Sequence, residues 1–179
     1  MNHPTGALRR TILQATLLVV AAACSSSTST PGPVATPTVE AGGPCAPSDL
    51  ALTGGAWGAA AGSRGADVSV ENRGPAACML PAGPAIAVLD AAGTELLASP
   101  PVADEGAPVL EPGAVATFTV LFSNWCQEGT ALPLHVVLRA GDASIPVPGL
   151  DMTADDLPPC NGPGQPPALS ANPWQPVAR

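Results

Sequence analysis

Five cysteines have the clearest capacity for chemistry in this 179-residue chain. Four of them form an even set, which is typical of disulfides in an oxidising compartment and leaves three pairings open: Cys45, Cys78, Cys126 and Cys160. A metal site is the rival interpretation, because Cys126, His135 and Met152 follow the order of blue-copper ligands. Such sites need two histidines, and His135 is the one histidine beyond residue 23. No CxxC motif supports structural zinc either. We therefore predict disulfides, with no metal and no cofactor.

The other candidates for a functional site have structural explanations, which we favour. His135 would be the base of any Ser-His-Asp arrangement, but it also suits an exposed strand position, and no G-x-S-x-G motif supports a hydrolase. Trp57 and Trp125 could stack on a carbohydrate, yet a tryptophan at a strand end more often belongs to the core. Four aspartates could bind calcium, although their spacing is not that of a D-x-D-x-D-G loop: Asp142, Asp151, Asp155 and Asp156. We predict no catalytic residue, and the ligand-binding residues stay unassigned.

The fifth cysteine, Cys24, ends a segment typical of export signals. Arg9 and Arg10 precede an uncharged, largely apolar run from 11 to 23, which is shorter than the ~20 residues that span a bilayer. The run ends in Ala21-Ala22-Ala23-Cys24, which resembles the lipobox of bacterial lipoproteins although Leu is usual where Ala21 stands. We predict a signal peptide over 1–23 and lipidation of Cys24. Cleavage of the A-x-A type with a free Cys24 is the alternative, and the sequence does not choose between the secretory and twin-arginine routes.

The next segment, 24–44, comprises the lipidated cysteine and a tether rich in Ser, Thr and Pro. It has almost no large apolar side chain, so burial cannot offset the entropy of ordering it. Twenty such residues span on the order of 25 Å as a coil and about 60 Å when extended. Beyond residue 23 the chain has four Arg against 14 Asp and Glu, a balance of −10, which disfavours nucleic acid and anionic lipid surfaces. Glycosylation of the tether stays open.

Short apolar runs separated by turn residues indicate an all-β domain over 45–160. The clearest is 114–122, where the apolar residues Ala116, Phe118, Val120 and Phe122 alternate with Thr117, Thr119 and Leu121. We expect an immunoglobulin-like two-sheet sandwich of about seven short strands, with a small closed barrel as the alternative. The predicted strands are 50–57, 66–72, 85–90, 94–98, 114–122, 134–140 and 144–147. The Pro-rich tail 161–179 either frays or docks as a last strand through Leu169 and Trp174.

The expected strand order selects one cysteine pairing. If the strands run up and down, Cys45 before the first strand and Cys78 after the second lie at the same end of the sandwich. Cys126 and Cys160 then lie at the opposite end, roughly 17 Å away for a five-residue strand. A disulfide needs Cα atoms within about 7 Å. We therefore predict Cys45 with Cys78 and Cys126 with Cys160, provided that the connection 99–113 adds no further crossing.

A set of short motifs gives the chain a family resemblance. They are the segments VSVENRG (68–74), CMLP (78–81), GP (83–84), LEPG (110–113), NWC (124–126), the late Cys160 and NPW (172–174). Together with the lipobox and the tether, they resemble an uncharacterised family of bacterial, mainly actinobacterial, lipoprotein ectodomains catalogued as a domain of unknown function. The resemblance covers about residues 45–176. It implies an extracytoplasmic immunoglobulin-like sandwich with two disulfides, and it implies no established activity.

The sequence therefore predicts a lipid-anchored, extracytoplasmic β-sandwich that is not an enzyme. We expect it to act as a binding or structural module of the cell envelope, attached to the membrane through Cys24. The expected partner is an envelope protein, peptide or glycan, and not a nucleic acid. The alternative is a secreted hydrolase or metal carrier that uses His135.

Overall fold

The structure, a computed structural model, describes residues 42–100, 102 and 106–176. The predicted signal peptide 1–23, the lipidation site Cys24 and most of the predicted tether lie outside the described residues. Within them the chain forms twelve strands and two single-turn 3-10 helices, Pro47–Asp49 and Ala154–Asp156. The strands are β1 (Leu50–Gly54), β2 (Gly58–Ala60), β3 (Ser63–Asn72), β4 (Cys78–Met79), β5 (Ala85–Leu89), β6 (Glu95–Ala98), β7 (Val109–Leu110), β8 (Val115–Ser123), β9 (His135–Ala140), β10 (Ala143–Pro146), β11 (Ala168–Ala171) and β12 (Gln175–Pro176). None of the described helices is long and apolar enough to cross a membrane.

The strands form two large antiparallel sheets and one small one. The first large sheet has the order β1-β3-β8-β11, with β2 on β3 and β12 on β8. Its longest pairing joins β3 to β8, from Ser63 opposite Ser123 to Glu71 opposite Val115. The second large sheet has the order β10-β9-β5-β6, and β4 pairs with β7 in the small sheet. Most pairings join strands that are distant in the sequence, so the sheets depend on long-range contacts more than on local hairpins.

One hydrophobic core joins the two large sheets. On β8, the residues from Ala116 to Phe122 alternate between buried and half-buried positions, with both phenylalanines buried, as the period-two pattern predicts. The core cluster contains Phe118 and Phe122 of the first sheet together with Ile86 and Leu138 of the second. The predicted all-β class with two disulfides is confirmed, and face-to-face packing of this kind fits the expected immunoglobulin-like sandwich.

The predicted count of about seven strands was too low. Each predicted strand overlaps an observed one, but the described chain adds β2, β4, β7, β11 and β12. Four of these have only two or three residues, which is too short for a period-two pattern to be visible. The predicted bounds 50–57 were also wrong. The strand ends at Gly54, and the Trp57 side chain packs against the core, where its Nε1 donates to the Leu150 carbonyl at 3.3 Å.

The two disulfides have the predicted pairing, at opposite ends of the first sheet. Cys45 bonds to Cys78 with a Cα separation of 4.7 Å, and Cys126 bonds to Cys160 with a separation of 4.8 Å. The antiparallel pairings of β1, β3 and β8 place the first bond near the Leu50–Asn72 pair and the second near the Ser63–Ser123 pair. We call these the Cys45 end and the Cys126 end.

The Cys45 end is organised by a buried asparagine at the end of β3. Asn72 is fully buried, and its Nδ2 donates to the carbonyls of Ala76 and Leu110, both at 2.8 Å. Its Oδ1 accepts from the Gly74 N–H at 2.9 Å. One side chain thus fixes the turn before β4 and the end of β7, so it positions both strands of the small sheet.

A second buried asparagine has the same task at the Cys126 end. Asn124 has a positive φ of 56°, and its Nδ2 donates to the carbonyls of Gly162 and Gln165 at 3.0 and 2.8 Å. Its Oδ1 accepts from the N–H groups of Asn161 and Gly162, both at 2.9 Å. Asparagine tolerates this backbone conformation better than most residues. The loop after Cys160 is therefore fixed by the residue that follows β8.

The described part of the tail packs onto the first sheet. β11 and β12 both pair with β8, and Leu169 is buried opposite Phe122. Trp174 packs edge-on against Phe118 with ring centroids 5.1 Å apart. Residues 168–176 are thus part of the sandwich.

Candidate functional site

An apolar cleft of about 370 Å³ lies at the Cys45 end of the domain. Its volume lies in the range of pockets that hold small molecules, roughly 300–1,000 Å³. Four chain segments form it: the entry before β1, the stretch from β4 to residue 82, the residue two places before β7, and the β9–β10 turn. The lining residues, which we call the apolar cleft, are Pro44, Cys45, Met79, Leu80, Pro81, Ala82, Ala107, Ala140 and Gly141. None of them carries a charge.

The backbone around the cleft offers few hydrogen-bond donors to a ligand. Pro44 and Pro81 have no N–H. The N–H of Cys45 donates to the Met79 carbonyl at 3.0 Å, and the N–H of Met79 donates to the Gly43 carbonyl at 3.1 Å. The N–H of Leu80 donates to Pro108 at 3.0 Å. Because these groups are already paired within the protein, the cleft suits a ligand that gains its affinity from apolar contact.

An exposed apolar pair extends the surface of the cleft. Met79 of β4 lies opposite Val109 of β7 in the small sheet, and the two residues are 37% and 41% exposed. They are among the few large apolar residues of the described chain that are this exposed. Since Met79 also lines the cleft, and methionine side chains adapt to irregular shapes, the rim can adjust to what enters.

The wall of the cleft is fixed to the core. The Pro81 carbonyl accepts a hydrogen bond from Trp174 Nε1 at 2.9 Å, and Trp174 packs on Phe118. The buried Cys78 ties the adjoining strand to Cys45. These attachments hold the cleft open before a ligand arrives, which lowers the ordering cost of binding.

Two charged residues adjoin lining residues of the cleft in the sequence. Arg139 precedes the lining residue Ala140, but its guanidinium donates to Glu95 and to Ser144. Asp142 follows the lining residue Gly141 and is exposed. An anionic ligand would therefore find a negative charge at this rim.

His135 forms a pair with Asp151 at the other end of the second sheet. Its Nδ1 lies 2.9 Å from Asp151 Oδ1, and the two side chains are 40% and 61% exposed. Backbone hydrogen bonds between Leu134 and Met152 bring them together. The predicted strand position is thus confirmed, with a partner that the sequence did not indicate. Within the described residues no hydroxyl or thiol group hydrogen-bonds to His135, so a nucleophile and base arrangement is not formed there.

The residues considered for metal binding are engaged in other bonds. Cys126 is in a disulfide, and Met152 is fully buried in the core. The described residues include no cluster of three or more His, Cys, Asp or Glu side chains placed to hold a metal. Asp156 accepts from the side chain of Thr153 at 2.7 Å and from its N–H at 3.0 Å. These two bonds lower the pKa of Asp156 below its ordinary value. The charge of Arg64 adds a smaller lowering of the pKa, and desolvation by burial raises it in part.

The tryptophans considered for carbohydrate stacking belong to the core. Trp125 is buried and packs against Phe122 with ring centroids 5.4 Å apart. Trp57 is half-buried against the core cluster. The core packing of both rings favours a structural role for them over sugar stacking.

Sequence reasoning missed the apolar cleft altogether. Its residues come from four separate segments and are mostly proline, alanine and glycine, which carry no recognisable chemistry. Of them, only Cys45 was assigned a role, and Met79, Leu80 and Pro81 appear only in a motif used for family resemblance. The site forms because the small sheet brings distant segments together, and no periodic pattern in the sequence predicts that contact.

A comparison with protein families finds one match. The family described as Domain of unknown function (DUF4232) matches residues 45–175. No curated protein and no solved structure has significant similarity to the chain.

Proposed function

Because the chain belongs to the family Domain of unknown function (DUF4232), which supplies no activity, we propose a function from the surface of the protein itself. The protein is a non-enzymatic binding module of the cell envelope, and its binding site is the apolar cleft. The ligand is an uncharged apolar molecule of small-molecule size. The observation that carries this proposal is a cleft of about 370 Å³ with no charged lining residue.

The composition of the lining supports binding rather than catalysis. Catalytic pockets present groups that can transfer protons or attack a substrate. The lining side chains are hydrocarbon or thioether groups apart from Cys45, whose sulfur is bonded to Cys78. A peptide or glycan ligand would find no hydrogen-bonding side chain in the lining, and the N–H groups of Cys45, Met79 and Leu80 are already used within the protein. An apolar ligand is therefore favoured over the envelope peptide or glycan that the sequence suggested.

The two disulfides support a location outside the cytoplasm, where such bonds form and persist. Attachment through a lipid on Cys24 is part of the proposal. The intact mass of the protein purified from its native membrane tests it, before and after reduction and alkylation. We expect the mass of residues 24–179 plus a diacylglycerol-type lipid, with four cysteines alkylated only after reduction. A mass without lipid, or alkylation before reduction, would contradict the anchor or the disulfides respectively.

Binding of a neutral apolar fluorophore tests the cleft. N-phenyl-1-naphthylamine carries no charge and becomes fluorescent when it leaves water, so it reports apolar binding. We expect saturable binding by the wild-type protein. Ala82→Trp places a large ring in the lining and should weaken binding at least tenfold. Ala92→Trp adds the same ring at the exposed β5–β6 turn, so it serves as the matched control and should leave binding unchanged.

Two results would refute this assignment of the site. Equal binding by both tryptophan variants would show that the fluorophore sits elsewhere, and no binding by the wild-type protein would show that the cleft does not capture apolar molecules. A thermal unfolding curve for each variant separates blocked binding from failure to fold.

A further inference from the structure

We infer that the ligand of the apolar cleft is one acyl chain of an uncharged membrane lipid. This inference rests on the proposed function and narrows it to a chemical class. The lipid is a separate molecule from the one predicted on Cys24. Three features of the described residues support it: the bonding state of the cleft, the charges at its rim, and the point where the chain enters the domain.

The bonding state of the cleft favours a hydrocarbon chain. The backbone N–H groups of Cys45, Met79 and Leu80 are all used inside the protein, and the Pro81 carbonyl is used by Trp174. A ligand donor or acceptor placed against these four groups would stay unpaired, which costs about 1–3 kcal/mol for each buried group. An acyl chain has no such groups along its length. The flexible thioether of Met79 can follow a chain that varies in conformation.

The charges at the rim favour an uncharged headgroup. Arg139, the nearest cationic residue along β9, is already paired with Glu95 and bonded to Ser144. Asp142 follows the lining residue Gly141. The chain beyond residue 23 also carries four Arg against 14 acidic residues. A phosphate or carboxylate headgroup would be repelled, whereas glycerol hydroxyls would remain in water at the open mouth.

The predicted tether, if lipidated at Cys24, would keep the cleft near a lipid source. Pro44 lines the cleft, and only nineteen residues of chain lie between it and Cys24. Chains of this composition span on the order of 25 Å as a coil and about 60 Å extended. A lipid on Cys24 would therefore keep this end of the domain within reach of the membrane surface. The effective concentration of membrane lipid at the cleft would be high for the same reason.

A chain-length series tests the inference. Monoacylglycerols with 8, 10 and 12 carbons are titrated, below their micelle concentrations, against N-phenyl-1-naphthylamine bound to the mature chain carrying Cys24→Ser, which takes no lipid. We expect the affinity to rise about fourfold per methylene until the cleft is filled, the equivalent of about 0.8 kcal/mol each. Ionised dodecanoate at pH 8 should bind at least tenfold more weakly than the 12-carbon glycerol ester.

A pair of matched variants places the acyl chain at Met79. Met79 and Leu132 have nearly equal exposure, 37% and 39%, but only Met79 lines the cleft. Met79→Ala should weaken binding of the 12-carbon ester at least fivefold, and Leu132→Ala should leave it unchanged. Equal effects of the two substitutions would overturn the placement.

The outcomes separate this inference from the proposed function. If the fluorophore binds in the cleft but monoacylglycerols do not displace it, or do so without dependence on chain length, the acyl chain is refuted and the binding module stands. If the fluorophore does not bind either, both proposals fail. The lipidated protein in nanodiscs of an anionic phospholipid, whose headgroup the rim should repel, should bind the 12-carbon ester as the Cys24→Ser protein does. Binding by the unlipidated protein alone would show that the anchor itself fills the cleft, which would overturn the assignment to a separate lipid.

Discussion

Replacing Asn72 with alanine should destabilise the domain far more than the loss of one polar side chain usually does. The side chain is fully buried and makes three hydrogen bonds, to Ala76, Leu110 and Gly74. Alanine would leave these backbone groups without their partner, and the bonds to Leu110 and Gly74 lie in the buried interior. The turn before β4 and the end of β7 would then lose their common attachment to β3.

The magnitude follows from the number of bonds. An intramolecular hydrogen bond contributes roughly 0.5–1.5 kcal/mol to stability, and an orphaned buried group costs more than the mean. Three bonds give about 3 kcal/mol. For a domain of this size such a loss lowers the melting temperature by roughly 10 °C. Asn161→Ala is the control, because that side chain makes one exposed bond, to the Gly62 carbonyl at 2.8 Å. We expect it to cost less than about 1 kcal/mol.

Urea unfolding followed by tryptophan fluorescence, with the disulfides intact, measures both variants. Asn72→Asp adds a sharper comparison, because it keeps the shape but turns an oxygen toward the carbonyls of Ala76 and Leu110. It should destabilise at least as much as alanine at pH 7, and part of the loss should return in acid, where a protonated carboxyl can donate.

This prediction fails if the free energy of unfolding of Asn72→Ala lies within 1 kcal/mol of the wild-type value, or if it equals that of Asn161→Ala. Either result would mean that the turn and β7 hold their positions without the Asn72 side chain. Because the small sheet carries Met79, the same variant should also weaken fluorophore binding, while Asn161→Ala should not.

Three further predictions address other parts of the molecule. Leu169→Ala should lower the free energy of unfolding, measured by urea titration, by about 2–5 kcal/mol, since Leu169 is buried against β8. A loss under 0.5 kcal/mol would mean that the tail does not stay docked. Asp156→Asn should destabilise the domain at pH 7 but not at pH 2. Thr153 lowers the folded-state pKa of Asp156, so the stabilisation by this carboxylate is present above the unfolded-state pKa and is lost as pH falls through the folded-state pKa. An equal difference between variant and wild type at both pH values would contradict this prediction. His135→Ala should change stability by less than about 1 kcal/mol, as is usual for an exposed pair, and should leave fluorophore binding intact, whereas loss of a measured activity or bound metal would favour the hydrolase or metal-carrier alternative.

Alternating side-chain types and cysteine positions let the sequence alone predict the β class and the disulfides. The run 114–122 shows period two, because successive strand residues point to opposite faces and only one face meets the core. The pairing of Cys45 with Cys78, and of Cys126 with Cys160, followed from counting strand crossings, since each antiparallel strand reverses the chain. This information is local, or depends only on order along the chain.

The short strands and the cleft were decided by the tertiary structure. β4 and β7 have two residues each. They are strands because Met79 pairs with Val109, which is distant in the sequence, and no local side-chain pattern predicts that pairing. Asn72 could be read as part of a motif, but its bond to the Leu110 carbonyl exists only because β7 returns to the end of β3. The cleft likewise arises where Pro44 and Gly141, distant in sequence, come to line one space. Side-chain chemistry fixed which faces are buried, and the meeting of distant segments fixed where a ligand can enter.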